Sequence, residues 1–226
     1  MNLEPLRPLR AFVLLLALSM VGCASSPDPV FYTLSSQTGR MLASSALRIE
    51  MRRVGLPGYL DRPHIVRRAS AERLELAADE RWGAPLDTMV SAALADDLAE
   101  RLPSCVVFSE SGSISTTADV RVEAEITRFE LGADGAVQLQ AGYAVRWNNG
   151  TDAVRLKRLA IQVRPASKST ADLVSSMSRA LAQLADAVAQ TVLQGSPTPT
   201  ATETSLPAEQ AVPVVPAVPV RPLPAF

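Results

Sequence analysis

Val137-Gln138-Leu139-Gln140-Ala141-Gly142-Tyr143-Ala144-Val145-Arg146-Trp147 alternates apolar positions with polar or small ones over its whole length. A period of two places one set of side chains on each face of a half-buried strand. Upstream, Val120, Val122, Ala124 and Ile126 alternate with Asp119, Arg121, Glu123 and Glu125, after which Phe129 and Leu131 fall on the opposite parity. One extra residue near Thr127-Arg128, a β-bulge, accounts for the slip. Gly132-Ala133-Asp134-Gly135 turns the chain between these two strands, and Asn148-Asn149-Gly150 turns it again into a returning strand over 154–163. Together they predict a long antiparallel meander.

Working outward, Leu86, Met89, Val90, Ala93, Leu94, Leu98 and Leu102 recur at three- and four-residue steps between Pro85, suited to a helix start, and Pro103. Asp96, Asp97, Glu100 and Arg101 are expected on the solvent side of this helix. Ser169, with Asp172 three residues on, caps a second helix whose stripe runs through Leu173, Val174, Met177, Leu181, Leu184, Ala185, Val188 and Val192. Shorter strands are expected around Phe31-Tyr32-Thr33-Leu34, at Leu47, Ile49 and Met51, over 64–68 and 73–77 as a hairpin, and at Cys105-Val106-Val107-Phe108, the last one buried. The fold class is α+β: a mainly antiparallel sheet covered by two long helices in a single domain.

Gly55-Leu56-Pro57-Gly58-Tyr59-Leu60-Asp61-Arg62-Pro63-His64-Ile65-Val66 is too constrained for a passive linker. Each proline fixes its own φ and biases the residue before it toward extended backbone. Pro57-Gly58 suits the centre of a type II turn, and Tyr59 and Leu60 are the expected anchors of an ordered corner. This run resembles the Leu-Pro-x-Tyr-Leu-Asp-Arg-Pro-x-Ile-Val segment of the ABC-type transport auxiliary lipoprotein family. Phe31-Tyr32-Thr33-Leu34, Arg81-Trp82-Gly83-Ala84-Pro85-Leu86, Ala118-Asp119-Val120 and Phe129-Glu130 match it in the same order.

The totals and the ends of the chain narrow its context. A net charge of -1 and 4% aromatic residues give no basis for nucleic-acid binding. Arg7 and Arg10 precede an apolar run too short to span a bilayer, which ends in Met20-Val21-Gly22-Cys23. That layout predicts a lipoprotein signal peptide over 1–22, a lipidated Cys23 with a tether over 23–30, and the domain over 31–194. Ala24 stands where, by analogy with enteric bacteria, an aspartate would favour inner-membrane retention, so outer-membrane sorting is expected. Prolines at 197, 199, 207, 213, 216, 219, 222 and 224 make residues 195–226 a disordered tail with polyproline II bias. Cys105 is then the one thiol left in the mature chain, expected as a small buried apolar side chain.

Little in the chain points to catalysis. His64 is the single histidine and has no nucleophile near it in sequence, and one histidine with one thiol cannot build a zinc site. No glycine-rich phosphate loop is present, so ATP is used elsewhere. Asp119, Glu123 and Glu125 share a strand face with Arg121 and read as a solvated surface. We expect no enzyme activity, cofactor or metal. Arg52, Arg53, Arg62, Arg67 and Arg68 flank the corner; they either meet lipid headgroups or an acidic partner, or pair with Glu50, Asp61 and Glu72.

The family resemblance implies a membrane-anchored periplasmic lipoprotein that assists an ABC-type, MCE-domain system moving lipids or other hydrophobic molecules between the inner and outer membranes. Its implied partners are the MCE-domain and permease components, the outer membrane through the lipid anchor, and a homo-oligomer of the chain itself. Tyr59, Asp61, Arg62, Arg67, Arg68 and Trp82 are the expected partner-binding residues, although Tyr59 and Trp82 also suit the core. An envelope scaffold binding peptidoglycan or another envelope protein, or a periplasmic lipid carrier, are the alternatives.

Overall fold

A computed structural model describes residues 28–195 except 111, 114, 115 and 149–152. The signal peptide, Cys23, the tip of the last hairpin and the proline-rich tail beyond Gly195 lie outside the described residues. In chain order the elements are β1 (Val30–Tyr32), β2 (Arg48–Met51), a 3-10 turn (Gly58–Leu60), β3 (His64–Arg68), β4 (Leu74–Trp82), α1 (Leu86–Arg101), β5 (Val106–Ser109), β6 (Val120–Leu131), β7 (Val137–Trp147), β8 (Val154–Val163) and α2 (Thr170–Leu193).

The meander forms as its alternation predicts. β6 pairs antiparallel with β7 from Val120↔Trp147 to Leu131↔Val137, with a register shift between Ile126 and Arg128, and β7 pairs antiparallel with β8. Extra backbone at the shift moves Phe129 to the core face, where it is fully buried. Polar Arg155, Lys157 and Arg158 stud β8, which among the described residues pairs only with β7; charges on an edge strand discourage further strand addition.

The other edge of β6 carries two short strands end to end. β2 lies parallel to its first half, Gly55 bridges to Glu125 in the middle, and β3 meets its far end at Arg67↔Leu131. β5 extends the sheet beside β2, while β4 and then β1 extend it beside β3. The 55–66 corner therefore interrupts what is otherwise one long strand along β6. β4 runs past the expected 73–77 through Trp82, because its last three residues pair in parallel with β1.

α1 and α2 cover one face. Ile49, Val90, Leu94, Val120, Leu139, Val145, Leu181 and Leu184 are fully buried between the layers. The Ser169 hydroxyl accepts the Asp172 N–H at 3.1 Å, capping α2 as its sequence predicts.

Three expectations need correction. Gly58 does not take the left-handed φ of a type II turn; among the described glycines only Gly135 and Gly195 are left-handed. Pro57 is extended instead and opens a 3-10 turn, with Leu60 N–H donating to the Pro57 carbonyl at 2.9 Å. β5 is a sheet edge with Val106 57% exposed, and Cys105 before it is only half-buried, its sulfur 3.3 Å from Ser44 Oγ. Asp97 and Arg101 are buried, not solvated, because residues 35–42 cross over the helices at that point. Asp97 accepts the Gln37 N–H at 2.7 Å, Arg101 donates to the Gln37 carbonyl at 3.2 Å and to Asp186 at 2.5 Å, and Leu42 N–H donates to the Arg101 carbonyl.

Candidate docking site

The corner is fastened to the sheet by a buried carboxylate. Glu130 sits on β6 just beyond the bulge and is fully buried. Its Oε2 accepts the Tyr59 hydroxyl at 2.7 Å and the Phe129 N–H at 3.1 Å; its Oε1 accepts Arg68 Nε at 2.8 Å and Arg128 Nε at 2.9 Å. A lone buried carboxylate is costly, but four donors and two cations reverse the balance. Burial pushes the Glu130 pKa up, while the hydrogen bonds from Arg68, Tyr59 and Arg128 pull it down, and the net shift is downward. The Tyr59 phenol is pushed up to about 12, first by burial and then by its bond to Glu130. The Arg68 guanidinium also lies 5.9 Å from the Tyr59 ring centroid.

The expected partner-binding residues thus divide by position. Asp61 and Arg62 are exposed at the tip of the corner, and neither makes an ion pair among the described residues. Tyr59 and Arg68 are held inward on Glu130. Arg67 faces the helices, bonded to Thr170 Oγ1 and paired with Glu80 at 3.3 Å. Trp82 is 5% exposed within the core, its backbone N–H donating to the Pro63 carbonyl at 2.7 Å. Cys23 lies outside the described residues.

The ion pairs differ from those expected around the corner. Arg52 pairs with Glu110, Arg53 with Asp87 and Arg121 with Glu50. Sequence spacing pointed to near neighbours, whereas the placement of β2 between β5 and β6, with the start of α1 close to its end, brings partners from far along the chain. Glu130 itself was missed as an anchor; the parity slip at the bulge was the available signal, since it puts a glutamate beside the corner.

Beyond the corner, the helix-free face of the sheet is concave. A groove of about 640 Å³ is lined by Tyr59, Arg68, Thr127, Arg128, Asp134 and Gln138 among others. A second, of about 810 Å³, runs over Gly142 and Ala144 between Arg53, Glu123, Glu125 and Arg158. Small side chains on β7 leave the trough floor low, and charged side chains form its rims. Between the helices and the sheet, the described buried apolar side chains form one cluster. Among the described residues no three His, Cys, Asp or Glu side chains converge where a metal ion would fit.

The family model described as the ABC-type transport auxiliary lipoprotein component matches residues 32–189. Protein XCC0632 from Xanthomonas campestris, of the family DUF330, shares the fold with a TM-score of 0.61 at 15% identity, over 74% of this chain and 96% of that one. A second crystal structure, of an uncharacterized protein, gives a TM-score of 0.62 at 18% identity, over 74% of this chain and 99% of that one. No curated protein matches the sequence.

Proposed function

The chain belongs to the ABC-type transport auxiliary lipoprotein component family, and we propose that it serves, without catalysis, as the outer-membrane-anchored end of an ABC/MCE-type system moving lipids or other hydrophobic molecules across the periplasm. The observation that carries this reading is the family match across nearly the whole described domain. Cys23, lipidated after removal of residues 1–22, holds the protein on the membrane, since two or more acyl chains give stable attachment where one exchanges. The MCE-domain and permease components are the partners, and several copies of the chain assemble around them.

The corner is the proposed contact. Glu130 fixes its base, so its tip, with Asp61 and Arg62, meets a partner with little ordering cost on binding. Tyr59, Arg67, Arg68 and Trp82 act by building the platform under that tip. The trough over β6, β7 and β8 offers the area that a two-residue tip lacks.

Attachment is tested by labelling cells with a palmitate analogue and fractionating their membranes. The account expects label on the wild-type protein in the outer-membrane fraction and none on Cys23→Ala, which should appear in the soluble periplasm. Equal fractionation of both proteins would overturn the anchor.

A further inference from the structure

Strand register exposes an apolar stripe that the docking surface does not use. Phe31 is in register with Arg81, and Arg81 with His64, so these three side chains share a sheet face. Their neighbours Tyr32 and Trp82 are in register on the opposite face, where Trp82 enters the core under the helices. Phe31 therefore points away from the helices. Further along β4, Leu76 pairs with Val66 and Leu74 with Arg68, whose side chain reaches Glu130 on that same helix-free side. Phe31 is 62% exposed, Leu76 47% and Leu74 36%. Leu74 and Leu76 lie about 7 Å apart on β4, and Phe31 stands on the neighbouring strand beside Arg81, on the same face beyond the register shift between His64 and Val66. Single exposed apolar residues are ordinary, but an aligned set beside a cation marks a contact surface.

Arg81 supplies that cation. Its Nε is shielded from solvent and has no hydrogen-bond partner among the described residues. An aromatic ring flanked by a guanidinium fits the boundary of a bilayer, where the ring enters the acyl region and the cation meets headgroup phosphate.

We propose that the Phe31–Leu76–Leu74 stripe, with Arg81, rests on the phospholipid surface that holds the protein. The proposal depends on lipidation of Cys23. Cys23 precedes Val30 by seven residues, which cap the separation of β1 from the anchor at about 25 Å whatever path they take. No other part of the domain is bound so closely to the membrane by chain length. The exposed carboxylates of Asp61 and Asp79 flank the same wing, so apolar insertion and local Arg81–phosphate bonding hold the contact, not bulk charge. The far edge of the trough, β8, lies five strand spacings from β1, about 24 Å across the sheet.

The test uses full-length lipidated protein in vesicles of phosphatidylethanolamine, phosphatidylglycerol and cardiolipin. An environment-sensitive dye is attached at Phe31→Cys in a Cys105→Ser background, with Leu156→Cys as the reference, a site 79% exposed at the far end of the sheet. Flotation with the vesicles is scored first; protein that stays behind overturns both the anchor and the stripe. For floating protein, we expect blue-shifted emission at position 31, quenched at least about three-fold more than position 156 by shallow doxyl-labelled lipid, with Arg81→Glu removing about half of the quenching. Equal, water-like emission at both sites overturns the stripe and leaves the anchor standing. A blue shift that doxyl lipid does not quench identifies a protein contact, and likewise overturns the lipid assignment.

Discussion

The Tyr59 hydroxyl donates to Glu130 Oε2 at 2.7 Å across 71 positions of sequence, and the carboxylate receiving it is fully buried. That bond, with those from Arg68 and Arg128, turns a proline-rich crossing segment into a fixed corner on β6. Removing the carboxylate should strand two cations at the edge of the core. Glu130→Ala is expected to lose about 3–5 kcal/mol of stability, the usual cost of breaking a buried ion pair. Tyr59→Phe, which removes one donor to a charged acceptor, should lose about 1.5 kcal/mol. Urea unfolding of both variants checks the ranking, and a Glu130→Ala midpoint equal to that of the wild type would contradict the lock.

Asp97 carries a second prediction, in pH. Burial pushes its pKa from the ordinary 3.8 up to about 6, against the Gln37 N–H and the Arg101 cation that pull it down and with Asp186 and Asp96 adding to the rise. A raised folded value means that the native state binds the proton more tightly than the unfolded chain. This contribution is fully present below the unfolded value and is lost as pH rises through about 6. Asp97→Asn should therefore remove a decline in stability of about 2 kcal/mol between pH 4 and pH 7. The comparison is the difference in urea midpoints between wild type and variant at the two pH values; parallel curves would rule it out.

Gly39 lies against the Arg101 guanidinium so closely that an added Cβ would overlap it. Arg101 is 1% exposed and held by Asp186, so it has no room to withdraw. Gly39→Ala should cost about 1–3 kcal/mol through overpacking. Amide exchange at Gln37 and Leu42, both bonded to this site, should quicken more than exchange in β7.

At the corner tip, Asp61 and Arg62 are free of ion pairs among the described residues, so their joint reversal to Asp61→Arg and Arg62→Asp should leave folding within about 0.5 kcal/mol of wild type. Partner recovery should nevertheless fall several-fold. Unchanged recovery would move the contact from the tip to the trough on β6–β8.

Much of this architecture was legible because local pattern and tertiary demand agree. The alternation from Val120 to Val163, the slip near Thr127-Arg128 and the Ser169 cap each state a structure through their own spacing, and the meander and α2 follow them. The order of the short strands was not legible: β2 and β3 lie end to end on β6 through parallel pairings that no local pattern encodes. Asp97 and Arg101 read as solvent-facing because periodicity describes one helix, whereas their burial comes from residues 35–42 crossing it. At the corner, Tyr59 and Leu60 were legible as anchors. Their partner was not, since Glu130 is an acidic residue whose burial depends on three elements meeting.

The central claim is that this lipoprotein works as the anchored docking component of a transport assembly. Its most direct test is gentle detergent extraction of the tagged protein from its native cells, followed by identification of what co-purifies, in parallel with Cys23→Ala. The account predicts an MCE-domain protein or its permease with the wild type, and loss of that partner with Cys23→Ala. Cell-wall material or other lipoproteins in the eluate, without any transporter component, would contradict it.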